Sequence, residues 1–310
     1  LQELAWRPAR NCCAIRTSRG LAVLAPKAGG GELGRLQLTN ATGAPVWQLA
    51  QWHSCLPLTH SVATADAVLC VSNVAKWFCL DLRDAAAPRL TLGVDSRPEY
   101  GGKPRRSPAA PWAHLLVQQA IAGAPALAEI ESLRLSFEVR LLEAETFRPE
   151  GYSPDLHAAQ FQVVLTLNNT RRDSPGHGDS LWFVVPVYDD RHAVPPEYIA
   201  RDFAVTQGKL IYNPGGAALG LQPLRPGHWQ RLDCDLRPWL ERALLTAWDK
   251  GCLRDSRRPA DYRVAHLNFG WEVPGLNRVA MELRALSLRA HTRNTDPAEC
   301  GTRRGQDVVP

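Results

Sequence analysis

Between Leu133 and Leu141 apolar and polar residues alternate without a break. Leu133, Leu135, Phe137, Val139 and Leu141 fall on one side; Arg134, Ser136, Glu138 and Arg140 fall on the other. Successive side chains of a strand point to opposite faces, so nine residues of this pattern describe a strand with one face in a core and one in water. Residues 161–168 alternate in the same way, and 181–188 form a more uniformly apolar run. Residues 209–212, 229–234, 263–271 and 278–289 extend the series. Turn chemistry punctuates it at Asp173-Ser174-Pro175-Gly176, Asn213-Pro214-Gly215-Gly216, Arg225-Pro226-Gly227 and Val273-Pro274-Gly275. One stretch breaks the period. Trp239, Leu240, Ala243, Leu244, Ala247 and Trp248 are spaced as a helix face, with Asp235 placed to cap it, Pro238 suited to the first turn and Gly251 to the stop. Short strands, frequent turns, one short helix and no βαβ alternation predict an all-β fold, an antiparallel β sandwich of the jelly-roll kind.

The chain divides by legibility. Residues 1–96 read as an irregular β-rich region that the same sandwich could include. Residues 97–111, with four prolines and four basic residues, read as a long loop. Residues 112–293 form the sandwich domain, and 294–310 are expected to be a tail. A length of 310 residues with 45% hydrophobic and 22% charged side chains is a globular composition. A net charge of +5, spread thinly, argues against a nucleic-acid binder. No apolar run approaches the ~18 residues that a membrane span needs. The sequence starts at Leu1 and its only methionine is Met281, so the start methionine is missing and no signal peptide is visible. Eight cysteines without C-x-x-C spacing suggest buried thiols and one or two bridges rather than a zinc ribbon.

The stretch His228-Trp229 to Leu236, the helix after it, His266-Leu267-Asn268-Phe269-Gly270-Trp271-Glu272 and the final strand Arg278 to Leu288 together form a recognisable layout. It resembles the β-sandwich carbohydrate-binding modules and the galactose-binding-like and concanavalin A-like jelly rolls of glycan-degrading systems. The resemblance implies a secreted or periplasmic bacterial protein that binds a polysaccharide or oligosaccharide; such families often carry a structural calcium ion, while the residues themselves identify no cofactor. A glycan-active hydrolase or lyase is the alternative it leaves open, and a structural sandwich without a small ligand is the third.

Candidate binding residues cluster in two places. Trp182 and Tyr188 share a strand parity and run into Asp189, Asp190, Arg191 and His192, an aromatic strand ending in groups suited to hydroxyls or to calcium. Asn268, Trp271 and Glu272 surround Gly270, which permits a close backbone approach or a bulge, and there Trp271 could stack on a sugar ring and Glu272 orient it. Were the chain an enzyme, two carboxylates would have to face each other across a glycosidic bond, and Asp189, Asp190, Glu272 and Glu138 are the acids available. The loop 97–111 could overhang the site and supply Tyr100 and Arg105, or simply dock through Trp112.

Overall fold

The computed structural model describes residues 2–7, 12–17, 20–26, 30–38, 45–84, 86–203, 206 and 208–293, with side chains from Leu21 onward. Strands β1 (Gln2–Arg7) and β2 (Cys12–Thr17) pair with each other. Next come β3 (Gly20–Leu24), β4 (Glu32–Leu38), β5 (Trp47–Ala50), β6 (Val62–Thr64), β7 (Val68–Ser72), β8 (Lys76–Asp81), β9 (Arg89–Asp95) and β10 (Ala113–Ala120). The longest strand, β11 (Ile130–Phe147), precedes β12 (Gln160–Asn169), β13 (Ser180–Asp189), β14 (Tyr198–Asp202), β15 (Lys209–Asn213) and β16 (Trp229–Asp235). Helix α1 (Arg237–Asp249), β17 (Tyr262–Val273) and β18 (Leu276–Thr292) complete the order.

Two sheets make the sandwich. Ten strands run β14-β15-β13-β12-β17-β10-β5-β3-β4-β6, and six run β16-β11-β18-β9-β8-β7. The pairing is antiparallel except at β13–β15, β3–β5 and β4–β6, which are parallel. Strands from before residue 96 enter both sheets. The core lies between them. Leu135, Phe137, Val139, Met281, Leu283, Leu92 and Phe78 face inward from the small sheet, and Leu115, Val117, Phe161, Val163, Leu165, Phe183, Phe269 and Trp271 from the large one. Trp271 crosses the gap, its Nε1 donating to the Leu92 carbonyl at 2.9 Å.

The alternation at 133–141 is realised as a strand whose apolar members are buried while Arg134, Ser136, Glu138 and Arg140 face out. The helix follows the expected spacing: Leu240, Ala243, Leu244 and Ala247 are buried. Its first residue is held as the sequence suggests, the Asp235 carboxylate accepting the Arg237 backbone N–H at 3.0 Å. Gly251 just past the end is left-handed, with φ 70°. Residues 97–111 contain no strand or helix. The loop is closed by its own side chains. Arg105 is buried and donates to the carbonyls of Ala110, Leu156, Ser107 and Pro108, and the Tyr100 hydroxyl donates to Val273 O and accepts Ala113 N–H. Neither is free to reach a ligand, so of the two readings of this segment the docked loop fits and the overhanging one does not. Cys70 and Cys79, register partners on β7 and β8, form a disulfide, while Cys55, Cys234 and Cys252 are free thiols.

Candidate functional site

Strand register assembles a polar surface on the outside of the ten-stranded sheet. At one end, His114 of β10 lies opposite Glu272 of β17, Glu272 opposite Gln160 of β12, and Gln160 opposite Asp189 of β13. Four residues further along the strands, Gln48, Gln118, Asn268, Val164 and Val184 form a parallel row, with Gln118 Nε2 donating to Gln48 Oε1 at 2.8 Å. A final row sets His266 beside Thr166 and Thr166 beside Trp182. The indole of Trp182 carries the Lys209 ammonium 4.9 Å from its ring centre. From Glu272 to His266 is six residues of strand, ~20 Å, and Gln160, Gln162, Asn268, Trp182 and Trp112 are all half-exposed along it.

Gly270 sits in the middle of this face because nothing else fits. With φ 142°, a Cβ there would lie 2.2 Å from the Leu115 carbonyl oxygen of the neighbouring strand. The close backbone approach that the sequence suggests at Gly270 is therefore real.

The acidic end is the most elaborated part. Trp112 Nε1 donates to Glu272 Oε2 at 3.2 Å, and His114 Nε2 stands 3.6 Å from the same oxygen. His114 Nδ1 faces two carbonyl oxygens, Trp112 at 2.8 Å and Trp52 at 3.2 Å, so Nδ1 bears a proton and Nε2 is the nitrogen turned to the carboxylate. Trp112 stacks on the His114 ring and Trp52 meets it edge-on, with centroids 5.5 and 5.6 Å away; His53 lies at 5.9 Å. Burial pushes the Glu272 carboxyl up, but the facing His114 imidazole and the Trp112 N–H outweigh it and hold the group below the usual carboxylate range. The side chain is 25% exposed, so this ionised carboxylate still reaches solvent. Burial and then the neighbouring His114 lower His53.

The residues singled out from sequence are scattered by the fold. Trp182, Asn268 and Glu272 share the outer face. Trp271 does not: its side chain is 0% exposed, edge-on to Phe161 at 5.2 Å and to Tyr188 at 5.8 Å, and it cannot stack on a ligand. Tyr188 is on the wrong side as well. A bulge between Phe161 and Gln162 shifts the register, so Tyr188 pairs with Phe161 and turns inward, while Trp182 pairs with Thr166 and stays out. Burial first, then Asp190 and Asp189, push its hydroxyl up to about 12. The parity argument that joined Trp182 to Tyr188 fails at that one extra residue.

Asp189 is 4% exposed, both oxygens bound by Arg191 at 2.8 and 2.6 Å and one also by Gln160 at 2.9 Å. Burial raises its carboxyl, and Arg191 outweighs this and holds it low. Asp190 accepts Ala159 N–H on one oxygen and Thr146 Oγ1 and Asn277 Nδ2 on the other, which makes it a tie between strands rather than a ligand-facing group. With their oxygens so occupied, Asp189 and Asp190 fit poorly either of the two roles open to them, binding hydroxyls or ligating calcium. Arg191 is spent on Asp189 and the Pro154 carbonyl, and exposed His192 donates its backbone N–H to Asp189 O. Glu138 lies on the outside of the other sheet, paired with Arg284 at 2.5 Å, with the whole sandwich between it and Glu272.

Sequence reasoning passed over Gln48, Trp52, His114, Gln118 and Gln160. A signal existed for one strand: His114, Leu116 and Gln118 alternate, which puts His114 and Gln118 on one face. Which strands flank that face is decided by register alone.

No family model matches this chain, and no curated protein matches it. Solved structures similar to it in fold are glycoside hydrolases. A thermo-stable cellulase derived from a Rhodothermus marinus enzyme is 10% identical, over 72% of this chain and 92% of its own, with a TM-score of 0.40. A family 12 xyloglucanase from Bacillus licheniformis is 9% identical, over 72% and 93%, also at 0.40. Endoglucanase 3 of Trichoderma harzianum is 11% identical, over 81% and 100%, at 0.39. Likeness at this level says nothing about substrate or chemistry. Among the described residues, no helix is long and apolar enough to cross a membrane.

Proposed function

We propose that this protein binds a polysaccharide along the outer face of its ten-stranded sheet. The carrying observation is the continuous row Gln48–Gln118–Asn268, flanked by Trp182 at one end and by Glu272 with Trp112 at the other. Planar amides each offer a donor and an acceptor, so one side chain serves two neighbouring hydroxyls. Indoles offer apolar faces against which a sugar ring loses little polar hydration. The Cys70–Cys79 bridge supports an oxidising compartment, hence a secreted or periplasmic protein.

A second reading, glycoside hydrolysis, is favoured by one feature: Glu272 is ionised, solvent-reaching and oriented by His114 and Trp112, as a base or nucleophile must be. Against it, the other carboxylate on the outer face of β13, β12, β17, β10 and β5 is Asp189. It is locked ionised by Arg191 and lies two strands away, ~10 Å by strand spacing. Titration calorimetry and reducing-end assays on one panel, including cello-oligosaccharides, xyloglucan and mixed-linkage glucans, separate the readings. Binding without release of reducing ends supports the first; release that is lost in Glu272→Gln supports the second; neither, across the panel, sinks both.

A further inference from the structure

The turn that carries Trp52 and His53 is held from behind by a carboxylate outside the site. Glu99 Oε1 accepts the Ser54 hydroxyl at 2.7 Å and is paired with the Lys76 ammonium; Oε2 accepts the backbone N–H groups of Cys55 at 2.6 Å and Leu56 at 3.2 Å. The Lys76 and Glu99 side chains are 0% and 1% exposed, and Lys76 Nζ also reaches Ser54 Oγ at 2.7 Å. Gln51 closes the same turn, bonding both N–H and C=O of Leu58. Within it His53 takes a left-handed φ of 57°, uncommon for a residue with a Cβ, although histidine is among the side chains that adopt it more often. The residue after Glu99 is Tyr100, whose hydroxyl accepts the Ala113 N–H beside Trp112. Two adjacent side chains thus hold both segments that clasp His114.

A buried ion pair is a poor device for stability alone, since apolar replacements of similar volume are often as stable or more so. What Glu99 supplies, and an apolar residue cannot, is a set of acceptors for the Ser54–Leu56 turn. We infer that Glu99, neutralised by Lys76, is a positioning residue: it fixes the 51–58 turn so that the Trp52 carbonyl and ring lock His114 against Glu272. Its functional half rests on the glycan-face reading; its structural half does not.

Two double variants of the full chain isolate the acceptor. Lys76→Met/Glu99→Leu removes the charges and the acceptor; Lys76→Met/Glu99→Gln removes the charges and keeps an oxygen for the Cys55 and Leu56 N–H groups. In nitrogen-labelled protein, the Trp52 and Trp112 indole resonances should move in the leucine variant and stay near wild type in the glutamine variant. Affinity for whichever panel glycan the wild type binds should fall at least about tenfold in the leucine variant alone, the equivalent of one lost charged hydrogen bond. Indole spectra that are alike in the two variants overturn the inference. If the wild type binds no glycan, the glycan reading fails while the indole comparison still decides the role of Glu99. Should the leucine variant not fold, hydrogen exchange on the wild type decides. Cys55 and Leu56 amides that exchange as slowly as that of His114 support the role, and markedly faster exchange overturns it.

Discussion

Trp271 fills the space between Phe161, Tyr188 and the Leu92 carbonyl, whereas Trp182 lies on the outside beneath Lys209. Their truncations should therefore part company. Trp271→Ala should cost about 3–5 kcal/mol in a denaturant titration, as removal of a buried indole does, and it also removes the indole hydrogen bond to the Leu92 carbonyl. Trp182→Ala should leave the melting temperature nearly unchanged and weaken glycan binding by about tenfold. Loss of stability without loss of binding in Trp182→Ala would remove it from the site. Glu272 makes a pH prediction. Its folded value lies below the ordinary 4.5, because His114 and Trp112 outweigh burial. A depressed carboxylate contributes stability that is present above the unfolded value and lost as pH falls through the folded one. Binding that depends on the ionised group should accordingly persist below pH 4.5, and a binding midpoint above that value would contradict it.

At the scale of elements, register decides more than composition does. The bulge beside Phe161 turns Tyr188 into the core and leaves Asp189 on the outer row with Gln160 and Glu272. Asp189→Asn should expose the value of the Arg191 pair. The wild type should be the more stable above the ordinary carboxylate value of 3.8, with the gap closing as pH falls below it, because Arg191 holds the folded value low against burial. Thermal melts of both proteins from pH 6 down to about pH 2 check this; a constant gap would refute it. Gly270→Ala puts a Cβ on the Leu115 carbonyl at a positive φ, so it should destabilise the β10–β17 pair by about 1–3 kcal/mol or more. A neutral result would mean that the strand moves freely there.

Across the whole molecule, the six-stranded sheet ends in the β7–β8 hairpin closed by Cys70 and Cys79, nine residues apart. Loop-closure entropy gives such a short ring about 2–3 kcal/mol at most, so reduction should lower stability modestly and leave the distant outer face of the large sheet binding as before. Loss of binding on reduction would mean that the two sheets are more tightly coupled than their packing suggests. The sandwich itself was legible in the chain. Period-two alternation at 133–141 and helical spacing at 239–248 are local properties, set by the need to bury one face of each element, and they survive any arrangement of the rest. The site was not legible. Trp271 and Tyr188 carry the same chemistry as Trp182, and only tertiary burial separates them. Glu138 and Glu272 look equivalent as acids, yet they project from opposite sides of the sandwich. His114, Gln118 and Gln48 acquire meaning only when β10 lands between β5 and β17. The sequence by itself determined that segments with clean alternation, such as 133–141 and 161–168, are strands and which of their faces are apolar. Tertiary structure alone decided which strands become neighbours and where a bulge reverses parity, because pairing between distant segments is fixed by the packing of the whole core and leaves no periodic trace in either segment.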